Sequence, residues 1–266
     1  LDWGKGALQD TLAGIRGGVY LENRAATHVA QVRVKTSTRN MDMSVETWLR
    51  GPTNPAVVKQ AVYAWPDGTS PVLELPEQRL DSDTRAEEAG DFVRIMQHTD
   101  WHNPKLWSPE HPNLYVLRTT IVTDGHSESF DTRFGFREFW IEGKQFMLNG
   151  KPIRLHGDGN HLREIRSIVP EASREYDRRV FAFLKREFNY MSARLHKLIF
   201  PCWTVEATDE VGILVITQSG LHSGDRVRYQ RGLPELMANL ETEFGEWYWR
   251  DVNNPSVVIW DMETEM

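Results

Sequence analysis

Apolar and polar residues alternate with a period of two in several segments between Gly18 and Arg137. The segment HVAQVRVKT places Ala30, Val32 and Val34 on one side and polar residues on the other, as in a strand with one buried face. The alternation returns in MSVETWL and FVRIMQ, and LYVLRTTIV is a more apolar strand. Turn-forming pieces with Pro, Gly or Asn separate these strands. Short strands spaced in this way over about 100 residues predict an immunoglobulin-like β-sandwich.

In the second half of the chain, apolar residues recur at helical spacing between short apolar strands. Asn149-Gly150 is a strong hairpin signal, and Tyr176, Val180 and Leu184 mark one face of a helix. The predicted elements after the hairpin are strand 153–156, a helix around 176–184, strand 190–195, a helix over 204–211 stopped by Gly212, strand 213–216, a helix over 233–247 and strand 256–260. This order predicts parallel strands joined by right-handed crossovers.

The end of the sequence, SVVIWDMETEM, combines a strand with regularly spaced carboxylates. Residues 256–260 are apolar or β-branched without alternation, which is typical of a parallel strand buried on both faces. Asp261, Glu263 and Glu265 follow at every second position, so their side chains point the same way in an extended chain. Carboxylates at the carboxyl end of such a strand are where α/β barrels place their chemistry. A hydrolase is one interpretation, and a core strand that ends in a solvated acidic loop is the other.

The composition narrows the classes of partner. The 266 residues are 40% hydrophobic and 26% charged, and a net charge of −7 without a long basic run argues against a nucleic acid as the main partner. The apolar runs are too short to cross a bilayer, so no membrane partner is expected. Cys202 is the only cysteine, which excludes an internal disulfide and a cysteine-based zinc site. The ten Trp residues suit a protein that holds sugars on aromatic faces, and they suit a packed core equally well.

Five segments resemble glycoside hydrolase family 2 in their order and spacing: KLWSPEHPNLY, FGFREF, FMLNGKPIRLHG, DEVGILVI and NNPSVVIW. That family includes β-galactosidases, β-glucuronidases and β-mannosidases. The resemblance implies a multidomain β plus α/β fold. Residues 1–15 would be a remnant of a preceding jelly-roll sugar-binding domain, 16–139 an immunoglobulin-like β-sandwich, and 140–266 the first four βα units of a (β/α)₈ TIM barrel. The rest of the catalytic barrel is expected from the same or another chain, because half a barrel leaves an unpaired strand edge.

The resemblance also implies a retaining β-glycosidase that hydrolyses terminal β-linked sugars, with a β-galactosidase-like activity preferred. Glu265 matches the family's general acid/base at the end of the fourth barrel strand, and the neighbouring Asp261 and Glu263 would raise its pKa by like-charge repulsion. The family carries its nucleophile on a later strand, beyond Met266, so none is assigned and this segment alone is not expected to be active. The alternative for Glu265 is a solvated residue at the end of a strand.

Substrate-binding positions carry over from the family by the same resemblance. His161 matches a histidine after the first strand that faces the sugar. Arg194 matches an arginine on the second strand that contacts the catalytic carboxylates, although a structural ion pair explains it equally well. His196 lies just past the second strand, where it would reach the same pocket or serve as an ordinary polar residue. Trp260 would form part of the pocket floor, with core packing as the preferred role, and Thr264 stands where the family usually has an asparagine that binds the sugar's 2-hydroxyl.

Departures from the family pattern leave a second class of function open. The hydroxyl of Thr264 cannot reproduce both ends of an amide, and Thr217 and Gln218 stand where the family commonly has an acidic pair. These departures favour either an unusual subgroup or a non-catalytic carbohydrate-binding or scaffold protein, while a bare sandwich module would leave the βα half unexplained. No cofactor and no metal is predicted. A carbohydrate is the expected partner, a homo-oligomer stays open, and a periplasmic or secreted location is slightly favoured over the cytoplasm.

Overall fold

The structure is a computed structural model, and it describes residues 19, 21–51, 55–80, 87–89, 91–123, 126–160, 174–196, 198–221 and 234–263. The described chain is rich in β-structure and has two main parts, an antiparallel pair of sheets followed by a parallel sheet with helices. Among these residues, no helix is both long and apolar enough to serve as a membrane span.

Two antiparallel sheets form the first part. The strands of the first sheet, in spatial order, are β1 (His28–Ser37), β2 (Asp42–Arg50), β7 (Phe92–Asp100) and β6 (Glu87–Ala89). Those of the second are β4 (Pro71–Glu74), β3 (Ala56–Ala64), β8 (Tyr115–Thr123) and β9 (His126–Phe134), with β5 (Gln78–Leu80) also paired to β3. One apolar cluster joins the sheets, and it includes Val45 and Leu49 from the first and Leu117 and Ile121 from the second. The period-two segments therefore form strands with one buried face.

Strand β1 departs from the simple alternation of its sequence. Val29 and Gln31 pair with adjacent residues of β2, so Ala30 is an extra residue in the ladder. Such a bulge shifts the alternation by one position. As a result Val29 and Val32 are the buried residues, and the prediction that Ala30 faces the core was wrong.

A three-stranded antiparallel sheet follows, made of β10 (Phe139–Glu142), β11 (Gln145–Leu148) and β12 (Lys151–Ile153). The chain turns between β11 and β12 at Asn149 and Gly150, which both have positive φ (51° and 81°), as the hairpin prediction requires. The prediction of a barrel strand over 153–156 was wrong. Ile153 is still paired with β11, and the first parallel strand begins at Gly157 in the polar sequence GDGN, which carries no apolar strand signal.

The second part is a four-stranded parallel sheet with helical connections. Its strands, in both spatial and sequence order, are β13 (Gly157–Asn160), β14 (Ser192–Leu195), β15 (Leu214–Gln218) and β16 (Val257–Asp261). Its helices are α1 (Arg174–Phe188), α2 (Cys202–Val211) and α3 (Pro234–Asp251). The predicted alternation of strands and helices and the parallel pairing are confirmed. Helices α1 and α2 pack on one face of the sheet through a cluster that includes Phe181, Leu195 and Val205.

The opposite face of the sheet is covered where its strands begin. Leu214 on β15 belongs to another apolar cluster with Trp107, from the loop before β8, and Leu148 on β11. Val258 on β16 packs against the same cluster. The starts of these strands are therefore buried on both sides, which explains their unbroken apolar sequences.

Asp209, near the end of α2, joins the two parts of the molecule. Its side chain is fully buried, and Oδ2 lies 3.0 Å from Nη2 of Arg133 on β9. Oδ2 also accepts a hydrogen bond from Nδ2 of Asn254 (2.6 Å), and Oδ1 accepts one from the backbone N–H of Ser256 (3.0 Å). Burial raises the pKa of Asp209 above its ordinary value, and the charge of Arg133 and the bonds from Ser256 and Asn254 oppose this rise. Asp209 therefore fixes the residues directly before β16 against the sandwich.

The loop before β16 also contacts the edge of the first sheet. Strand β1 is an edge strand, because among the described strands it pairs only with β2. The Asn253 side chain binds that edge as a further strand would, with Oδ1 accepting from the N–H of Val34 (2.8 Å) and Nδ2 donating to the carbonyl of Val32 (2.7 Å). Asn253 thus satisfies two backbone groups of an otherwise open edge.

A glycine with a left-handed backbone closes α2 against the sandwich. Gly212 has φ 78°, and its N–H donates to the carbonyl of Thr208. A Cβ at this position would lie 2.5 Å from the carbonyl oxygen of Pro109. We expect Gly212→Ala to lower the free energy of unfolding by about 2–4 kcal/mol, because a backbone clash adds to the cost of the left-handed conformation.

Gly143→Ala is the matched control for this substitution. Gly143 also has positive φ (60°), but nothing lies within 4 Å of the position that its Cβ would take. Only the conformational cost remains there, and we expect about 1–2 kcal/mol. Chemical denaturation followed by tryptophan fluorescence measures both variants, and equal losses would show that Pro109 does not constrain position 212.

Candidate active site

Three polar side chains meet where the strands of the parallel sheet end. Arg194 lies on β14, and Gln218 and Asp261 are the last residues of β15 and β16. Nε and Nη2 of Arg194 lie 3.2 and 2.9 Å from Oδ2 of Asp261, and Nε2 of Gln218 donates to the same oxygen at 3.1 Å. We call these residues the strand-end trio. The carboxyl ends of parallel strands are the edge at which α/β proteins form their sites.

The strand-end trio lies on the face of the sheet that the helices do not cover. Leu195 and Trp260, the sequence neighbours of Arg194 and Asp261, both pack with the cluster between the sheet and its helices. Successive side chains of a strand point to opposite faces. Arg194 and Asp261 therefore point away from the helices.

The trio combines one buried residue with two accessible charges. Gln218 is fully buried, whereas the side chains of Arg194 and Asp261 are 35% and 26% exposed. All three hydrogen bonds reach Oδ2, and Oδ1 of Asp261 accepts none from any described residue. Among the described residues the carboxylate is thus held through one oxygen.

Ser219 continues the contact between β15 and β16 beyond their last paired residues. It is buried, and its N–H donates to the carbonyl of Asp261 (3.0 Å). Its hydroxyl donates to the carbonyl of Met262 and accepts from the N–H of Leu221 (3.1 Å). The backbone on both sides of the Asp261 carboxylate is thereby held in one position.

The structure describes only some of the site residues that the sequence predicts. Glu265, Thr264 and His161 lie outside the described residues. Arg194 belongs to the strand-end trio, where its ion pair with Asp261 stands at the edge expected for a site. His196 follows β14 directly and is half-buried.

Trp260 lies on the helix-facing side of the sheet. Its ring centroid is 5.8 Å from that of Tyr248 on α3, and it packs against the cluster below the helices. A side chain on this side does not share a surface with Arg194 and Asp261. Trp260 thus takes part in core packing on the helix side of the sheet, and its place in the pocket floor stays a prediction.

Sequence reasoning missed the roles of Asp261 and Gln218. The sequence analysis treats Asp261 as a neighbouring charge and Gln218 as a departure from a family pattern, but in the structure Arg194 and Gln218 both donate to Asp261. The available signal was that each residue follows a predicted parallel strand by one or two positions. Polar residues at such positions on neighbouring strands come together at one edge of the sheet.

The acidic residues of this edge do not form a metal site in the described part of the chain. No group of three or more His, Cys, Asp or Glu there is arranged to hold an ion. The charge of Asp261 is compensated by Arg194.

Comparison with known proteins gives the family context. Residues 23–137 match the family model described as glycosyl hydrolases family 2. A β-galactosidase from Photobacterium profundum is 26% identical over 235 residues, which cover 85% of this chain and 22% of that protein. A putative β-glucuronidase from Formosa agariphila is 31% identical over 168 residues, or 62% of this chain and 19% of that protein. The chain thus spans about a fifth of the length of these relatives.

The fold has a counterpart among solved structures. The crystal structure of a β-glucuronidase from Bacteroides uniformis matches with a TM-score of 0.72 and 21% identity, over 91% of this chain and 29% of that one. At this level of identity the likeness concerns the fold alone. It extends across both the sandwich and the parallel sheet, since it covers nine-tenths of the chain.

Proposed function

Because the chain belongs to glycosyl hydrolase family 2, we propose that it forms part of a retaining β-glycosidase that hydrolyses terminal β-linked sugars, with β-galactosides as the preferred class. The observation that carries the proposal is the strand-end trio. It places Arg194 and Asp261 together at the carboxyl edge of a parallel sheet. Asp261 precedes Glu265 by four positions in the sequence.

We infer that the parallel sheet is the first half of a (β/α)₈ barrel. Among the described strands, β13 and β16 each pair on one side only, and the spatial order of the strands follows the sequence, as it does in a barrel. The face that carries the trio would be the barrel interior. The sandwich would then be the immunoglobulin-like domain, and the remaining barrel strands would come from the same or another chain.

In such a site, Glu265 acts as the general acid/base. It donates a proton to the leaving oxygen in the first step and takes one from water in the second. A carboxylate from outside this chain segment attacks the anomeric carbon and forms the glycosyl-enzyme intermediate. Arg194 would orient the carboxylates, and His161, His196 and Thr264 would line the sugar.

A proton NMR time course with the full-length protein and a β-galactoside tests this proposal. A retaining enzyme releases the β-anomer first, because two displacements at the anomeric carbon restore its configuration. We expect β-galactose to appear before mutarotation produces the α-anomer. Initial release of the α-anomer would contradict retention. Failure to turn over any of the β-galactosides, β-glucosides, β-mannosides and β-glucuronides would contradict a hydrolase.

A non-catalytic carbohydrate-binding protein is the second candidate. It is favoured by Thr264 in place of an asparagine, and by Gln218, which stands in place of an acidic residue and donates to Asp261. This function predicts saturable binding of a β-glycoside in calorimetry without release of product. The NMR time course therefore separates the two candidates.

A further inference from the structure

A groove of about 550 Å³ lies between the edge strand β1 and the start of β16. Residues 33–36 of β1 line one side of it, and residues 252–255 with Val257 and Val258 line the other. None of the three residues of the strand-end trio lines this groove. Its size is ordinary for a site that binds a small molecule.

The guanidinium of Arg137 lines the groove and has only one edge occupied. Nε donates to the carbonyl of Pro255 (3.0 Å), and Nη2 donates to that of Val257 (2.7 Å). These bonds use two of the five N–H groups of the guanidinium. Nη1 donates to no described residue, and no described carboxylate forms an ion pair with Arg137. The end formed by Nη1 and the second N–H of Nη2 is therefore available to a ligand.

The charge of Arg137 is poorly compensated by its surroundings. Burial lowers the pKa of Arg137 to about 10, and the attraction of the buried Asp209 carboxylate opposes this effect only in part. Asp209 is itself paired with Arg133 at 3.0 Å. Because a nearby anion favours the charged form of a base, an anion in the groove would supply the missing counter-charge.

The acidic residue of the groove does not supply this counter-charge. Among the described lining residues only Glu138 is acidic. Its carboxylate accepts from the backbone N–H groups of Thr38 (2.9 Å) and Arg39 (3.1 Å), and it forms an ion pair with the Arg39 side chain. Glu138 and Arg39 thus compensate each other, and Arg137 stays without a carboxylate partner among the described residues.

Contacts with β1 and with the loop before β16 hold Arg137 in one orientation. The Thr36 hydroxyl donates to the carbonyl of Arg137 (2.6 Å), and its oxygen accepts from the N–H of Arg137 (3.2 Å). With the two carbonyls that bind the guanidinium, the backbone and the side chain are both fixed before a ligand arrives. Binding to such a preorganised group loses little side-chain entropy.

Two features of the groove indicate a carboxylate with an apolar body. A guanidinium is planar and presents parallel N–H groups that match the two oxygens of a carboxylate. The aromatic rings of Phe139, Tyr248 and Trp260 line the same groove, so an apolar group attached to the carboxylate finds aromatic surface beside it. A small organic acid satisfies both features.

We propose that the groove between β1 and β16 is a ligand site, in which the end of the Arg137 guanidinium binds the carboxylate of a small organic acid. The residues that form it are separate from the strand-end trio. The inference therefore does not depend on the proposed hydrolysis of glycosides.

Calorimetry of the full-length protein with benzoate and with benzamide tests this proposal. The two probes have nearly the same shape, but only benzoate carries a charge. We expect benzoate to bind saturably and benzamide to bind about tenfold more weakly or worse, because hydrogen bonds between charged partners are stronger. Equal affinities for the two probes would overturn the proposal, and so would the absence of benzoate binding.

Arg137→Met and its matched control Arg118→Met locate the binding site. Both variants lose a guanidinium, but Arg118 is an exposed residue of β8 that pairs with Asp131 and does not line the groove. We expect Arg137→Met to weaken benzoate binding by about tenfold or more. Arg118→Met should stay within about twofold of the wild type, since solvent screens distant surface charges. A folded Arg137→Met protein with wild-type affinity for benzoate would contradict the assignment.

A crystal structure of the wild-type protein grown with benzoate provides a test without a variant. It is needed because Arg137→Met also takes the donor from two backbone carbonyls, those of Pro255 and Val257. We expect a carboxylate oxygen within about 3.2 Å of Nη1 of Arg137. Benzoate bound elsewhere, with this groove empty, would show that Arg137 is not its ligand.

Discussion

Replacing Glu265 with Gln in the full-length protein is expected to lower kcat for an alkyl β-glycoside by about 10²–10⁴-fold. An alkoxide is a poor leaving group, so its oxygen must be protonated as the glycosidic bond breaks, and glutamine has no such proton to give. Dinitrophenolate leaves without protonation, so the rate of the glycosylation step with a dinitrophenyl glycoside should change little. Steady-state kcat and kcat/KM for the two leaving groups measure the difference.

Glu263→Gln provides the matched control, because Glu263 carries the same side chain two positions earlier. We expect this variant to change the alkyl-to-aryl ratio of kcat/KM by no more than about tenfold, because it keeps the proton donor and alters only the charge near that donor. If Glu263→Gln instead caused the selective loss on the alkyl glycoside, the assignment of the general acid to Glu265 would be wrong. Equal losses on both leaving groups would point to a defect in binding or folding rather than in proton transfer.

Asp209→Ala is expected to lower the free energy of unfolding by about 3–5 kcal/mol. The substitution removes one of the two carboxylates that pair with Arg133, which keeps Glu210 at 2.8 Å, and it removes the acceptor for Asn254 and for the N–H of Ser256. Buried donors that lose their acceptor keep the full cost of desolvation. Guanidinium denaturation followed by tryptophan fluorescence measures the loss.

Glu206→Ala tests whether burial, rather than loss of an acidic residue from α2, causes that effect. Glu206 lies on the same helix, its side chain is 36% exposed, and it is 3.5 Å from Nη1 of Arg174. We expect a loss of less than about 1 kcal/mol, because exposed ion pairs contribute little. Similar losses at Glu206 and Asp209 would show that the junction formed by Asp209 does not stabilise the fold.

The hydrophobic pattern predicts the parallel sheet well where its strands are covered on both sides. Strands β15 and β16 have unbroken apolar runs, because one cluster lies below the helices and another lies against the loop of Trp107. Strand β13 could not be predicted in this way. Its residues are GDGN, and Gly157 is so close to β14 that a Cβ would meet the carbonyl oxygen of Ser192. A strand whose glycines permit a close approach of two backbones shows no apolar pattern in the sequence.

The candidate site is predictable only in part. The parallel order implies that polar side chains gather at the strand ends, but which of them touch depends on the pairing register. Gln218 lies opposite Asp261 after an irregularity in the ladder between Val215 and Ile216. A slip of one residue would turn Asp261 towards the helices. No periodicity of the sequence encodes such an irregularity.

The contact between Arg194 and Asp261 also changes one sequence-based hypothesis. Asp261 was expected to raise the pKa of Glu265 by like-charge repulsion. Because Arg194 lies 2.9 Å from Asp261, the repulsion from that carboxylate is largely compensated. Glu263 is then the neighbouring carboxylate that remains to raise the pKa of Glu265 by like-charge repulsion.

The amide of Asn253, which completes the edge of β1, has a consequence for how the protein is made. It lies 219 positions after Val34. At about 5–20 residues per second, a ribosome needs on the order of 10–40 s to cover that distance. During that time the nascent sandwich can fold, but its edge carries open N–H and C=O groups that invite pairing with another chain. Slow or paused translation between β1 and Asn253 would therefore increase aggregation, and a chaperone that shields this edge would reduce it.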